Sequence, residues 1–185
     1  MKRLTLLRHA KSDWDDPVAR DFDRPLNRRG EKAALLMGQF AQTKKMRFDR
    51  LVASPAVRVV QTLETFFAGY GEALDAHWDR RIYLASAATL LDVVRDLPEE
   101  TGSALMAGHN PGFEELILEL VPDDGASPIR EDVEVKFPTA SLAVMDLAID
   151  RWADAAENSA TLVSFIRPRD LDPRLGTGHA LRLTR

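Results

Sequence analysis

Two adjacent residues of complementary chemistry, Arg8 and His9, follow the first apolar run of the chain, at residues 4–7. The composition of that run favours a β-strand, and ligand chemistry in α/β proteins lies at the carboxyl ends of strands. An imidazole at that position can attack a phosphoryl group while a neighbouring guanidinium neutralises the phosphate oxygens. The pair therefore predicts nucleophilic catalysis at phosphorus, with His9 as the nucleophile.

Two further strand-to-helix junctions carry residues of the same kind. In residues 54–58, Arg58 falls in the first turn of a helix, and residues 107–112 contain His109. Helix N-termini favour anions because of their free N–H groups and their dipole. Since all three junctions follow apolar strands, we expect them to open at one edge of the sheet. Arg8 and Arg58 would grip phosphate oxygens bidentately, and His109 would donate a hydrogen bond in the transition state.

Each feature taken alone has a simpler structural interpretation. An Arg-His pair after a strand is often incidental, a histidine such as His109 is more often structural, and Ser54-Pro55 is usually only a helix cap. The joint pattern of two arginines and two histidines favours a catalytic phosphate pocket. We expect no metal there, because the guanidinium groups supply positive charge and the junctions hold no clustered carboxylates. The Asp-rich segment Asp13–Pro25 is interpreted as charge balance for nearby arginines rather than as a cation site.

Composition narrows the class of protein. The chain has 185 residues with 45% hydrophobic and 29% charged residues, which predicts one domain, with a core at about residues 3–168 and a polar tail at 169–185. The net charge of −4 makes nucleic acid a poor partner. The chain has no cysteine, which removes thiolate catalysis and fits a cytoplasmic protein. No apolar stretch approaches the roughly 20 residues that span a bilayer, so no membrane association is expected.

Strand and helix patterns alternate along the chain. They predict strands at residues 3–7, 51–53, 73–78, 104–107, 141–147 and 161–166. They also predict helices that begin at the caps Asn27, Ser54-Pro55, Ser86 and Asn110-Pro111 and end near residues 43, 67, 97 and 121. Residues 123–128 are predicted as a loop and the tail from Arg167 as irregular. The alternation predicts a three-layer α/β/α fold, whose mostly parallel sheet has a mixed edge formed by the last two strands.

The chain resembles the histidine phosphatase superfamily, which includes the cofactor-dependent phosphoglycerate mutases. The resemblance covers about residues 3–168 and is carried by residues 7–9, 54–58 and 108–109. Within the superfamily the chain is similar to the bacterial SixA-type phosphohistidine phosphatases. These carry Arg-His-Ala-Lys-Ser and Gly-His-Asn-Pro-Gly, which are residues 8–12 and 108–112 of this chain. The Asp-rich loop that leads into Arg-Pro-Leu and a glycine, at residues 21–30, and Phe-Pro-Thr at residues 137–139 match the same subgroup.

The resemblance implies a phosphoglycerate mutase-like fold and hydrolysis of phosphomonoesters or phosphoramidates through a phosphorylated His9. Phosphohistidine on proteins is the expected substrate, and no cofactor is expected. It implies that Arg8, Arg58 and His109 complete the phosphate pocket and that Arg24 lies beside it. Lys11 and Ser12 are adjacent to the nucleophile and are candidates for substrate contact, with a solvated loop as the alternative. The expected ligands are the phosphate ion and a phosphorylated protein, such as a histidine phosphotransfer domain of a signalling relay.

One departure from the wider superfamily bears on the substrate. Many members place a carboxylic general acid after the third strand. In this chain the corresponding residues 78–84 contain a single carboxylate, Asp79, and its position in the segment does not match that of the acid. An alkoxide needs a proton from such an acid, but imidazole leaves without one because its conjugate acid has a pKa of about 6.5. The SixA-type subgroup lacks this acid too. Asp21 or Asp23 could reach in from the loop, which leaves a small-molecule phosphatase acting on sugar or nucleotide phosphates as the alternative.

Two other observations bear on the choice of function. A non-catalytic phosphate-binding module is disfavoured, because binding alone does not need the nucleophile His9. Residues 123–135 form a short segment that offers little material for a lid over a small substrate. We therefore expect an open cleft, which favours a macromolecular substrate.

Overall fold

The computed structural model describes residues 1–18, 20–125 and 127–176. Within these ranges none of the helices has both the length and the apolar character of a membrane span. The strands are β1 (Lys2–Arg8), β2 (Arg50–Ala53), β3 (Ala76–Trp78), β4 (Ser103–Gly108), β5 (Leu142–Leu147) and β6 (Ala160–Ile166). The α-helices are α1 (Arg28–Thr43), α2 (Val57–Tyr70), α3 (Ala87–Arg95), α4 (Gly112–Leu120), α5 (Pro128–Val135) and α6 (Pro168–Leu171).

The six strands form one sheet in the order β3-β2-β4-β1-β5-β6. The first four strands of that order are parallel to one another. β5 runs antiparallel to β1, and β6 runs antiparallel to β5. The predicted mostly parallel sheet with a mixed edge is therefore confirmed, and the hairpin of β5 and β6 is what makes that edge mixed.

Helices cover both faces of the sheet, because successive side chains of a strand point to opposite sides. In β1, Leu4 and Leu6 belong to the core that contains α3 and α4, whereas Leu7 belongs to the core that contains α1 and α2. On the second face the two helices approach closely at Gly38 of α1, where a Cβ atom would overlap the carbonyl oxygen of Phe66. The predicted three-layer α/β/α architecture is confirmed.

Two of the four predicted helix caps are confirmed. The Asn27 side-chain oxygen accepts a hydrogen bond from the Gly30 backbone N–H at 2.8 Å, and the Ser86 hydroxyl accepts one from the Thr89 N–H at 3.3 Å. These bonds satisfy N–H groups that a helix leaves without an internal partner.

The predicted caps at the other two junctions are wrong. α2 begins at Val57 with Ala56 as its N-cap. The Ser54 hydroxyl lies ahead of the helix, where it accepts the Ala56 N–H at 3.4 Å and lies 2.8 Å from a histidine nitrogen. α4 begins at Gly112 after Pro111. Both helices therefore start slightly later than the Ser-Pro and Asn-Pro signals predict.

Two helices occur where the sequence patterns predict none. α5 is capped by the Ser127 hydroxyl and has Pro128 in its first turn. The tail is predicted to be irregular, but it contains α6. At the start of this helix the Asp170 carboxylate accepts a hydrogen bond from the Arg167 backbone N–H at 2.9 Å.

Both helices are short. α5 has one apolar pair at helical spacing, Ile129 and Val133, which packs against the core, and α6 has only four residues. Neither is long enough for a periodic pattern to indicate a helix. Residues 177–185 of the predicted polar tail lie outside the described residues.

Candidate active site

A cleft of about 500 Å³ opens beside the carboxyl ends of β1 and β4 and the first turn of α2. A larger cavity of about 930 Å³ lies beside α2 and β3, but no histidine or arginine lines it. The chemistry therefore belongs to the smaller cleft. All seven predicted site residues line that cleft: Arg8, His9, Lys11, Ser12, Arg24, Arg58 and His109.

His9 is held as a neutral imidazole with one nitrogen available. Its Nδ1 lies 2.7 Å from the carbonyl oxygen of Ala10, and because a carbonyl only accepts, Nδ1 carries the proton and Nε2 the lone pair. Burial, reinforced by the charges of Arg58 and Arg8, lowers the pKa of His9 to about 3. At neutral pH the imidazole is therefore uncharged and presents the lone pair of Nε2, the form in which a histidine can act as a nucleophile.

Helix α2 fixes the backbone next to the nucleophile. The Thr62 hydroxyl accepts a hydrogen bond from the Ala10 N–H at 2.9 Å and donates one to the Arg58 carbonyl at 2.6 Å. One residue earlier, the side-chain oxygen of Gln61 accepts the Leu26 N–H at 2.8 Å. The turn of α2 that carries Arg58 thus also holds the segments around Ala10 and Leu26.

Three arginines in the cleft have hydrogen-bond donors that are available to a ligand. Arg8 donates to the Phe137 carbonyl at 2.6 Å, and Arg58 donates to the Asp21 carbonyl at 2.8 Å. The Nε atoms of Arg8, Arg24 and Arg58 are buried and have no hydrogen-bond partner among the described residues. Buried donors are normally paired, so this arrangement suits an anion that accepts from the guanidinium edges.

His109 connects Arg58 to a serine that the sequence pattern assigned to capping. Its Nδ1 lies 3.4 Å from an Arg58 nitrogen, and its Nε2 lies 2.8 Å from the Ser54 hydroxyl. Because arginine only donates, Nδ1 is the acceptor and Nε2 donates to Ser54. Burial and the charge of Arg58 lower the pKa of His109 to about 3, so this ring is also neutral.

Ser54 gives His109 access to its second tautomer. A serine hydroxyl can donate as well as accept, so it can donate a hydrogen bond to Nε2 while Nδ1 carries the proton and donates to a bound anion in place of its contact with Arg58. Donation from His109 to a phosphate oxygen, as the sequence analysis expects, requires this second tautomer. The sequence feature that indicates a role for Ser54 is its position directly after β2, at the same sheet edge as the other site residues.

Asp21 is the only carboxylate among the described residues that line the cleft. It pairs with Arg24 at 2.7 Å and Arg58 at 3.0 Å and accepts a hydrogen bond from the Tyr83 hydroxyl at 2.8 Å. Burial raises the pKa of Asp21, but the Tyr83 hydrogen bond and the two arginines outweigh it and hold this pKa below its usual value. Asp21 is therefore ionised at neutral pH and is a poor proton donor.

The other two candidates for a general acid lie outside the cleft. Asp23 pairs with Arg20 at 2.7 Å. Asp79 pairs with Arg81 at 2.7 Å, and hydrogen bonds from Arg81 lower the pKa of Asp79. Two carboxylates of the Asp-rich loop thus balance arginine charge: Asp21 at Arg24 and Arg58, and Asp23 at Arg20. In the described part of the chain, no group of three or more histidine and carboxylate side chains is placed to hold a metal ion.

The rim of the cleft is partly apolar and open. The guanidinium carbon of Arg24 lies 3.4 Å from the centroid of the Trp14 ring, a cation–π contact. Trp14 is 75% exposed, and Leu84 on the rim is 56% exposed. No residue of α5 lines the cleft, so this helix contributes no cover over it.

Replacing Arg58 by lysine is expected to lower turnover by about 10²-fold or more, the usual cost of losing one preorganised charge contact. Lysine keeps the charge but loses the planar fork that contacts Asp21 and His109 together. Steady-state kinetics on a phosphohistidine substrate would measure the loss, with Arg28→Lys on the exposed side of α1 as the control. Near-normal turnover in Arg58→Lys would contradict the geometric role.

The two neutral histidines are expected to make stability depend on pH. Between about pH 6.5 and about pH 3 the unfolded chain binds protons at His9 and His109 that the folded chain does not, so stability falls as the pH falls through this window. From pH 7 to pH 5 the expected loss is about 2 kcal/mol for each histidine. Urea unfolding in buffers without oxyanions would measure it. The same pH dependence in a His9→Ala/His109→Ala variant would contradict this origin.

Comparison with known proteins agrees with this geometry. The family model of the histidine phosphatase superfamily (branch 1) matches residues 4–82, which contain Arg8, His9 and Arg58. An uncharacterised protein of Mycobacterium tuberculosis is 34% identical over 164 residues, covering 88% of this chain and 100% of the relative.

Two solved structures of proteins named SixA share the fold. The one from Agrobacterium tumefaciens is 29% identical with a TM-score of 0.75, and covers 90% of this chain and 98% of its own. The one from Nakamurella multipartitia is 28% identical with a TM-score of 0.79, and covers 90% and 96%. By its sequence relatives and its fold, the chain belongs to the histidine phosphatase superfamily, as a SixA-type member.

Proposed function

We propose that the substrate of this phosphatase is phosphohistidine on a protein, and that the reaction passes through a phosphorylated His9. The observation that carries the proposal is the composition of the cleft. It combines a neutral imidazole with three arginines, while its single carboxylate among the described residues, Asp21, is held ionised. A leaving group that needs no proton donor suits this site, and imidazole is such a group.

The proposed first step transfers the phosphoryl group to the enzyme. Nε2 of His9 attacks phosphorus and forms an N–P bond, while the bond from phosphorus to the substrate imidazole breaks and its electron pair stays on that imidazole. Arg8, Arg24 and Arg58 neutralise the phosphoryl oxygens during transfer. The second ring nitrogen of the substrate phosphohistidine carries a proton taken from solvent before transfer, so the imidazole departs as a neutral molecule.

The proposed second step regenerates the enzyme. Water attacks phosphorus, the N–P bond to His9 breaks, and inorganic phosphate leaves. The proton of the attacking water passes to solvent, and the electron pair of the broken bond returns to Nε2. His109 supports both steps if its Nδ1 donates to a phosphoryl oxygen, with the Ser54 hydroxyl donating a hydrogen bond to Nε2.

The open rim supports a macromolecular substrate. Trp14 and Leu84 are exposed beside the cleft, and a histidine side chain on another protein could enter between them. The name phosphohistidine phosphatase SixA, which both solved relatives carry, points to the same class. The proposed partner is a histidine phosphotransfer domain of a signalling relay.

An activity panel tests the proposal. The protein would be assayed in excess chelator against a phosphorylated histidine phosphotransfer domain, phosphohistidine, and a set of sugar and nucleotide phosphates. We expect turnover of the phosphohistidine substrates, with no loss of rate caused by the chelator. Efficient turnover of sugar or nucleotide phosphates alone would favour the small-molecule alternative, and activity restored only by divalent cations would contradict metal independence.

A further inference from the structure

A second, strongly basic depression adjoins the candidate active site. We call it the basic trough and define it by its five cationic lining residues: Lys11, Arg29, Lys136, Arg167 and Arg169. Lys11, Lys136, Pro138 and Thr139 line both this trough and the cleft of His9. The two depressions are therefore adjacent, and a molecule bound at His9 lies beside the trough.

The charge of the trough is largely uncompensated. The chain as a whole carries a net charge of −4, yet no Asp or Glu of the described residues lines the trough. Arg167 differs from the other cations of the trough because it forms ion pairs, with Asp170 at 2.9 Å and with Asp132 at 3.6 Å. Clustered charge of one sign attracts counter-ions and disfavours the compact state unless it is neutralised. The positive charge of the trough therefore favours the binding of an anion.

The individual contacts leave donors available. Arg29 donates to the backbone carbonyl of Gly176, a neutral partner. Lys136 and Arg169 are exposed, and among the described residues no carboxylate lies within ion-pair distance of either side chain. Arg169 does contribute charge that lowers the pKa of Asp170. Since Asp170 is already bonded to Arg167, the ammonium of Lys136 and the guanidinium of Arg169 remain free for a ligand.

The size of the trough admits a small charged group. Its volume of about 60 Å³ exceeds the volume that one ordered water molecule needs. A carboxylate or a phosphate group can therefore enter it.

We propose that the basic trough is a second anion subsite, which binds a carboxylate or a second phosphate on the same substrate molecule whose phosphoryl group lies at His9. The inference rests on the proposed function in that it takes the cleft of His9 as the place of the reacting phosphoryl group. It adds a requirement on the substrate, namely a second negative group within reach of Lys136 and Arg169. That group is either an acidic side chain near the phosphohistidine of a protein or a further phosphate on a small molecule.

Equilibrium binding of stable phosphonates tests the subsite independently of catalysis. Isothermal titration calorimetry would compare simple alkylphosphonates with carboxyalkylphosphonates that have one to four methylene groups. For the best chain length we expect the added carboxylate to tighten binding by about tenfold or more, the effect of one charged hydrogen bond. In a Lys136→Ala/Arg169→Ala variant that ratio is expected to fall to about threefold or less.

The matched control is an Arg28→Ala/Lys32→Ala variant, which removes two exposed cations of α1 that line neither depression. This control changes the net charge equally and is expected to keep the wild-type ratio. A ratio near one at every chain length in the wild type would overturn the subsite. So would a trough variant that keeps the wild-type ratio, or a control that loses it equally.

A kinetic arm distinguishes the two sources of the anion. Phosphohistidine peptides with glutamate or glutamine at neighbouring positions would be compared with aryl phosphates with and without a second phosphate. A gain in kcat/KM that depends on Lys136 and Arg169 supports the subsite in either series and identifies its source. Because the phosphonates are not hydrolysed, selective binding of carboxyalkylphosphonates without phosphohistidine turnover would keep the subsite and reject the proposed function. Turnover of phosphohistidine without selective binding of carboxyalkylphosphonates would keep the proposed function and reject the subsite.

Discussion

A His9→Ala variant is expected to lose at least about 10⁴-fold in turnover of a phosphohistidine substrate, as enzymes do when their nucleophile is removed. The expectation follows from the free Nε2 of His9, since Nδ1 is bonded to the Ala10 carbonyl, and from the arginines around it. The wild-type enzyme, mixed rapidly with substrate and quenched in base, is expected to carry the phosphoryl group on His9. Mapping of the labelled peptide would identify the residue.

A second histidine provides the control for this experiment. His77 lies in β3 and is exposed, and it is outside the cleft, so His77→Ala is expected to keep wild-type turnover. Phosphate mapped to a residue other than His9 would contradict the assignment. Full activity in His9→Ala would do so as well.

The second large effect concerns the leaving group. Without a protonated acid in the cleft, departure of an alkoxide is expected to be about 10²–10⁴-fold slower than acid-assisted departure, while neutral imidazole leaves unaided. Aryl phosphates of low leaving-group pKa are expected to fall between phosphohistidine and alkyl phosphates. The measurement is kcat/KM across a series of phosphate esters, plotted against the pKa of the leaving group, and we expect a steep dependence.

A flat dependence, with good turnover of alkyl phosphates, would mean that the protein supplies a proton. Asp21 is then the first candidate, since it lines the cleft, although Arg24, Arg58 and Tyr83 hold it ionised when no substrate is bound. An Asp21→Asn variant separates the cases. It would make a flat dependence steep if Asp21 were the acid, and would leave a steep dependence unchanged if it were not.

The sheet and the residues brought together at its edge were predictable from local patterns. His9 follows a buried strand directly, and Arg58 falls in the first turn of a helix after another, so the fold class alone places both at one edge. The hydroxyl of Ser54 was not predictable in the same way. Its partner His109 lies 55 residues away in the chain, and a Ser-Pro pair has a sufficient local explanation as a cap.

Asp21 and the short helices show two other limits of sequence patterns. An Asp-rich loop indicates that arginines will be paired, but only the folded chain shows that one of its carboxylates reaches Arg58 on another element. The helices α5 and α6 have eight and four residues, and at that length caps and prolines decide the structure more than periodicity does. The basic trough is formed partly by α6 and the residues around it. Because that helix is not predicted from the sequence, the trough is not predicted either.

The hydrogen bonds of α2 have a mechanical consequence. Arg58, Gln61 and Thr62 lie within about one turn of this helix, and they hold the phosphate-binding guanidinium, the segment at Leu26 and the backbone at Ala10. A small rigid-body shift of α2 would therefore carry the nucleophile's support and the anion clamp in the same direction, and preserve the distance between them. Bulk added where Gly38 of α1 meets the carbonyl oxygen of Phe66 would press on α2. It would displace Arg58 and the supports of Leu26 and Ala10 together, relative to Arg8 and His109 at the ends of β1 and β4.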